Sequence, residues 1–182
     1  MAVHHFLEAM TSGFEGREEE LGRSVSTVLK TLKNIKPYPH EINDGLIKAW
    51  LVSIQFAKDR GILHELVEHD IQTMEPVNLI LSSLVEETGD PENALVGMID
   101  HTACHYHMVL DTKIEPGKRI WTSPFKNVLD VSRRIKQFDL TEQEIHEQWT
   151  VPRILGYAKT IGVDIKVSDW NDDRIITCEV IK

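Results

Sequence analysis

Residues able to do chemistry gather in one stretch, 94–111, ALVGMIDHTACHYHMVLD. It holds three of the nine histidines and one of the two cysteines. Leu95, Ile99, Ala103, Tyr106 and Leu110 recur at helical spacing, which predicts one helix with that stripe facing a core. At about 100° per residue, Asp100, Cys104, His107 and Asp111 fall together on one flank of the stripe. Two carboxylates, an imidazole and a thiol on one flank could hold a divalent metal or run acid–base chemistry. The plainer expectation is a row of boundary residues hydrogen-bonded to neighbouring elements, since one helix seldom supplies a whole site. His101 and His105 form an i, i+4 pair on the other side. Without HExxH they read as a solvated face.

The elements that would position this stretch are helical. Arg17 to Asn34 has Leu21, Val25, Val28 or Leu29, Leu32 and Ile35 in a four-three pattern. Glu18, Glu19 and Glu20 open it, and Lys30, Lys33 and Lys36 lie near its end, both favourable for the helix dipole. Such a stripe suits bundle packing, and a homo-oligomeric contact is the sharper alternative. Lys36-Pro-Tyr-Pro-His40 breaks the chain. Glu41 to Lys58 is a second long helix, closed by Gly61. Two shorter helices are expected next, Ile62 to Ile71 and a segment opened by Pro76 and ended at Gly89. Before them, Val3 to Met10 predicts a short amphipathic helix or arm.

Composition bounds the rest. The chain has 182 residues and 41% hydrophobic content, enough for a real core. No run approaches the roughly 20 apolar residues of a membrane span, and the first residues do not resemble a signal peptide. Two distant cysteines point to no disulfide framework, so a cytoplasmic location is expected. The net charge of −9 is uneven. Residues 1–112 hold 8 Lys+Arg against 18 Asp+Glu, while residues 113–182 hold 12 against 11. The acidic part disfavours broad nucleic-acid contact, which needs Lys and Arg.

The second half opens with a turn-rich linker, 113–123. Ser123-Pro124 predicts a helix start, running to about Gln137. Thr141 and Glu144 form a capping box. Thr150-Val151-Pro152 predicts a break and restart, and Gly162 an end. Ile165–Val167 and 174–181 predict a β-hairpin. The stretch EIHEQWTVPRIL followed by a hairpin resembles a winged helix-turn-helix. That likeness implies a DNA-binding regulator contacting DNA through Arg133, Arg134, Arg153 and Lys159. It departs from the family at His146, where a small residue is usual, at Thr150, and in an acidic wing.

His69-Asp70 looks like the HD dyad of metal-dependent phosphohydrolases, with His40 upstream and Asp111 or Asp139 downstream. That likeness implies a metal that generates hydroxide beside a phosphate. The stretch from Leu84 to Asp90, with Asp100, is faintly similar to all-α nucleotide pyrophosphohydrolases, which hold Mg²⁺ on helix carboxylates. Gly97 stands where that family has a glutamate.

The expected fold is mainly α: an N-terminal arm (1–16), an acidic helical bundle (17–112), a linker (113–123), and a helix-turn-helix-like module ending in a C-terminal β-hairpin (124–182). The expected function is non-enzymatic interaction and assembly with protein partners or copies of itself, without a cofactor or membrane contact, and with nucleic acid as a possible further partner. The alternatives are a metal-dependent nucleotide phosphohydrolase, with His69, Asp70, Asp100, His107 and Asp111 as ligands, and a DNA-binding regulator.

Overall fold

The computed structural model describes residues 15–34, 40–100 and 112–181, without the side chains of 30–34 and 40–44. The predicted helix over 3–10 and most of the chemistry-rich stretch lie outside the described residues. The chain divides into two compact units, Met1–Ile42 and Asn43–Lys182. The described part of the first is mainly helix α1, Glu18–Asn34, whose first turn is acidic as expected. Helix α2, His40–Arg60, carries the chain into the second unit.

Helix α3, Leu63–Thr88, is one helix where two were expected. Pro76 lies inside it. A proline removes one backbone bond, here to the carbonyl of Gln72. Both residues are exposed, so water can take that carbonyl. Buried contacts on either side, Val67 before and Asn78 after, hold the axis. Gly89 ends the helix at φ +66°, its N–H donating to the Val85 carbonyl at 2.8 Å. This left-handed turn suits glycine.

Helix α4 begins at Glu92–Leu95 and continues as a π turn, Val96–Asp100. The segment read as a linker then forms two strands, β1 (Lys113–Glu115) and β2 (Lys118–Thr122). Pro116-Gly117 makes the tight turn between them, with Gly117 at φ +71°. Helix α5 is Lys126–Arg134, shorter than expected and starting after Phe125 rather than after Ser123.

The expected helix-turn-helix geometry does not form. Glu142–Ile145, the π turn His146–Thr150 and Val151–Ile161 run on as one helix, α6 (142–161), with helical dihedrals at His146, Thr150 and Val151. Pro152 sits in the middle of that run, and a π turn accommodates the residue that a helix of regular pitch would expel. The capping box is present: Thr141 accepts from the Glu144 N–H at 3.0 Å, and Glu144 accepts from the Thr141 N–H at 2.8 Å. Thr141→Ala is expected to cost about 1 kcal/mol, read as a lower urea midpoint with an unchanged slope.

Strands β3 (Ile165–Val167) and β4 (Ile175–Val180) form the expected C-terminal hairpin within a larger sheet. The order is β1-β2-β4-β3, antiparallel throughout. Arg119 and Trp121 of β2 lie beside Cys178 and Ile176 of β4 on the buried face. That face packs on Leu95, Ile99, Ile154 and Ile161 from α4 and α6. A second core joins Ile47, Leu51 and Ile54 of α2 to Val67, Leu129, Ile145 and Trp149. Where α6 crosses α3, an added Cβ at Gly156 would stand 2.2 Å from Cδ1 of Ile71. Glycine is what lets the two helices meet there.

Candidate functional site

Two buried guanidinium groups organise the polar interior, and both take up residues predicted as metal ligands. The first is Arg153. Trp149, Arg153 and Tyr157 recur every four residues, so the unbroken helix α6 puts them on one face. Arg153 Nε donates to Asp70 Oδ2 at 2.7 Å, and its Nη2 donates to the Tyr157 hydroxyl at 3.0 Å. Tyr157 in turn donates to the same carboxylate oxygen. The guanidinium carbon lies 4.5 Å from the ring centres of both Trp50 and Trp149. The two indole ring centres are themselves 4.9 Å apart and tilted by 55°, so the flat delocalised cation lies over the corner they form and gains from their negative faces. Burial pushes the Tyr157 phenol up to about 12, against the pull of the Arg153 charge. It therefore stays protonated and donates.

The second is Arg119, 1% exposed. Its Nε donates to Asp100 at 2.8 Å, and Nη2 reaches Asp100 at 2.8 Å and Glu92 at 2.7 Å. Nη1 donates to the carbonyls of Glu115 and Lys118 at 3.1 and 2.9 Å. A guanidinium has five N–H donors, and all five are used. Glu92 also accepts from the Gly117 N–H at 2.6 Å, closing the β1–β2 turn onto α4. The Asp100 carboxylate holds Arg119 still more firmly protonated than usual. Beside it, burial pushes the Cys178 thiol up to about 12, which keeps it a neutral filler of the core rather than a nucleophile.

A third polar cluster surrounds His146, which is 2% exposed. Its Nε2–H donates to the Ser168 carbonyl at 2.9 Å. The nearby cavity, lined by Trp121, Ser123, Phe125, Glu142, His146 and Thr150, measures about 10 Å³. That is the room of one water, far below the several hundred Å³ of small-molecule sites. Ser123 donates its hydroxyl to Glu142 at 2.5 Å, so its proton goes to a carboxylate and not to the imidazole.

The predicted ligands do not converge among the described residues. His69 is exposed on α3 while Asp70, one residue on, turns inward to Arg153. Asp100 is held by Arg119. His107 and Asp111, with His101, Cys104 and His105, lie outside the described residues. No group of three or more His, Cys, Asp or Glu side chains suited to a metal occurs among the described residues. Of the nucleic-acid candidates, Arg153 is buried in its aromatic stack and is not available to phosphate. Arg133 is exposed but donates to the Leu140 carbonyl at 2.6 Å, and Arg134 and Lys159 are exposed.

The surface carries a different signal. Leu21, Val25, Val28 and Leu29 of α1 are 36–52% exposed. On α2, Val52 and Phe56 are 55% and 52% exposed, and on α3 Val77, Leu79 and Ile80 are 46–52% exposed. Comparison with family models, with curated proteins and with solved structures gives no match. No described helix is long and apolar enough to cross a membrane.

Proposed function

We propose that this protein works by self-association, as an assembly or interaction protein. The observation that supports the reading is the pattern of exposed apolar side chains at helical spacing on α1 (Leu21, Val25, Val28) and α2 (Val52, Phe56). Single exposed apolar residues are ordinary, but rows along helix faces mark surfaces that another surface covers. The polar interior fits the same reading. Asp70 and Asp100 are each engaged by a guanidinium group that braces one element against another.

The test is native mass spectrometry of the full chain, read for subunit number and bound metal together. A defined homo-oligomer is expected. A monomer throughout the tens-of-micromolar range, or one or two metals bound in stoichiometric amount, would overturn the reading. Stoichiometric metal would direct attention to nucleotide hydrolysis.

A further inference from the structure

Among the described residues, five buried side-chain polar atoms find no hydrogen-bond partner in the protein. Two of them, Nδ1 of His146 and Nε1 of Trp121, belong to residues that line one cavity, the space of about 10 Å³ beside the π turn of α6. Both residues are 2% exposed. Their chemistry is opposite. Nε2 of His146 faces a carbonyl, that of Ser168 at 2.9 Å, so it must carry the proton. Nδ1 of the neutral ring is then a bare lone pair, an acceptor. An indole Nε1–H can only donate. Leaving both unmet inside the protein would cost about 1–3 kcal/mol for each.

We infer that this cavity binds one ordered water molecule, which accepts from Trp121 Nε1–H and donates to His146 Nδ1. The occupant follows from the two atoms together. A cation would suit the imidazole lone pair and be repelled by the indole N–H, and an anion would do the reverse. Water gives and takes at once, and the volume admits one. Its second hydrogen has an acceptor in Glu142, one turn before His146, whose carboxylate already takes the Ser123 proton and has lone pairs left. Thr150, one turn after His146, lines the same space with a hydroxyl. Buried waters are held by two to four such partners. The site ties together parts far apart in the chain: Trp121 from β2, the π turn His146–Thr150 of α6, and, through Ser168, the loop between β3 and β4. The water is a structural ligand of the π turn, and it belongs to neither guanidinium centre.

The experiment is a crystal structure of the full chain at a resolution that orders water, paired with heteronuclear NMR of the His146 ring near neutral pH. One density peak is expected about 2.7–3.2 Å from both Trp121 Nε1 and His146 Nδ1. The NMR spectrum is expected to show the proton on Nε2 and a bare Nδ1. His146→Gln keeps a donor for Ser168 and has no acceptor at the Nδ1 position. The peak should be lost from that variant while the chain still folds, with thermal melts as the check. A cavity without density, a peak that reaches only one of the two atoms, or a His146 proton on Nδ1 would each overturn the proposal. So would a peak that stays unchanged in His146→Gln. If that variant does not fold, the wild-type density and the His146 tautomer decide alone.

Discussion

Replacing Arg153 with alanine is expected to lower stability by about 3–5 kcal/mol, the cost of leaving a buried partner charge uncompensated. Asp70 is 16% exposed and would keep only the Tyr157 hydroxyl from its present pair of donors. Trp50 and Trp149 would lose the group packed over both of them, and Trp149 belongs to the core joined to α2. In a chain of this size that is a fall in melting temperature on the order of 10 °C. The Arg153→Lys variant separates charge from shape. Lysine keeps the charge but cannot lie flat over the two rings, so most of the loss is expected to remain. Pairing Arg153→Met with Asp70→Leu should recover much of it, because a buried ion pair replaced whole by apolar groups often costs little. A loss below about 1 kcal/mol in Arg153→Ala would show that the stack does not brace α3 to α6.

Arg119→Ala is the second large effect, again about 3–5 kcal/mol by the same argument. The wild-type side chain spends every donor it has, on two carboxylates and two carbonyls, so its removal orphans four acceptors at once. The damage should be local in a readable way. Hydrogen exchange is expected to speed up first at β1 and at Gly117, whose N–H depends on a Glu92 carboxylate that Arg119 holds in place. Asp100→Asn should cost less, since the amide oxygen still accepts a bond while the charge is lost. Equal losses in the two variants would argue that the charge, and not the hydrogen-bond network, carries the effect.

Much of the architecture was legible in local signals. Thr141 with Glu144, and Gly89 and Gly162 as helix ends, are read from a few neighbouring residues and form as such. The C-terminal hairpin followed from alternation and a turn-rich loop. What failed were boundaries that depend on distant packing. Pro76 and Pro152 are strong breakers in isolation, yet each lies inside a helix whose flanks are buried on both sides. Residues 113–123 did carry a strand signal: Pro116-Gly117 is a turn pair between two short runs, the second of which alternates in burial. Reading the Lys118-Arg119 pair as two surface charges hid it. On a strand, neighbours point to opposite faces, so one of the pair goes inward. The likeness to winged helix-turn-helix proteins fails for the same reason, since it needed the turn at Thr150 that tertiary packing removes.

The polar centres were only half legible. Asp70 and Asp100 stood out as acids, and their partners did not. The spacing of Trp149, Arg153 and Tyr157 on one helical face was available, but nothing local says that a tryptophan about a hundred residues earlier closes the stack. A carboxylate that looks like a metal ligand in sequence becomes half of an ion pair once the distant arginine is known.

The sheet order has a consequence for how the protein folds. Strand β4 lies in the interior of the sheet, between β2 and β3, although it follows every other strand in the chain. Its two neighbours do not pair with each other. The β1–β2 turn can close early as a local contact, but the sheet as a whole waits for β4 to arrive, and the pairing of β2 with β4 spans a long loop whose entropy is spent before the contacts return anything. Until then the buried face of β2, with Arg119 and Trp121, has no strand beside it on that edge. On a ribosome the sheet therefore closes only after β4 has emerged, and the helices that pack against it must keep their apolar faces without that cover in the interval.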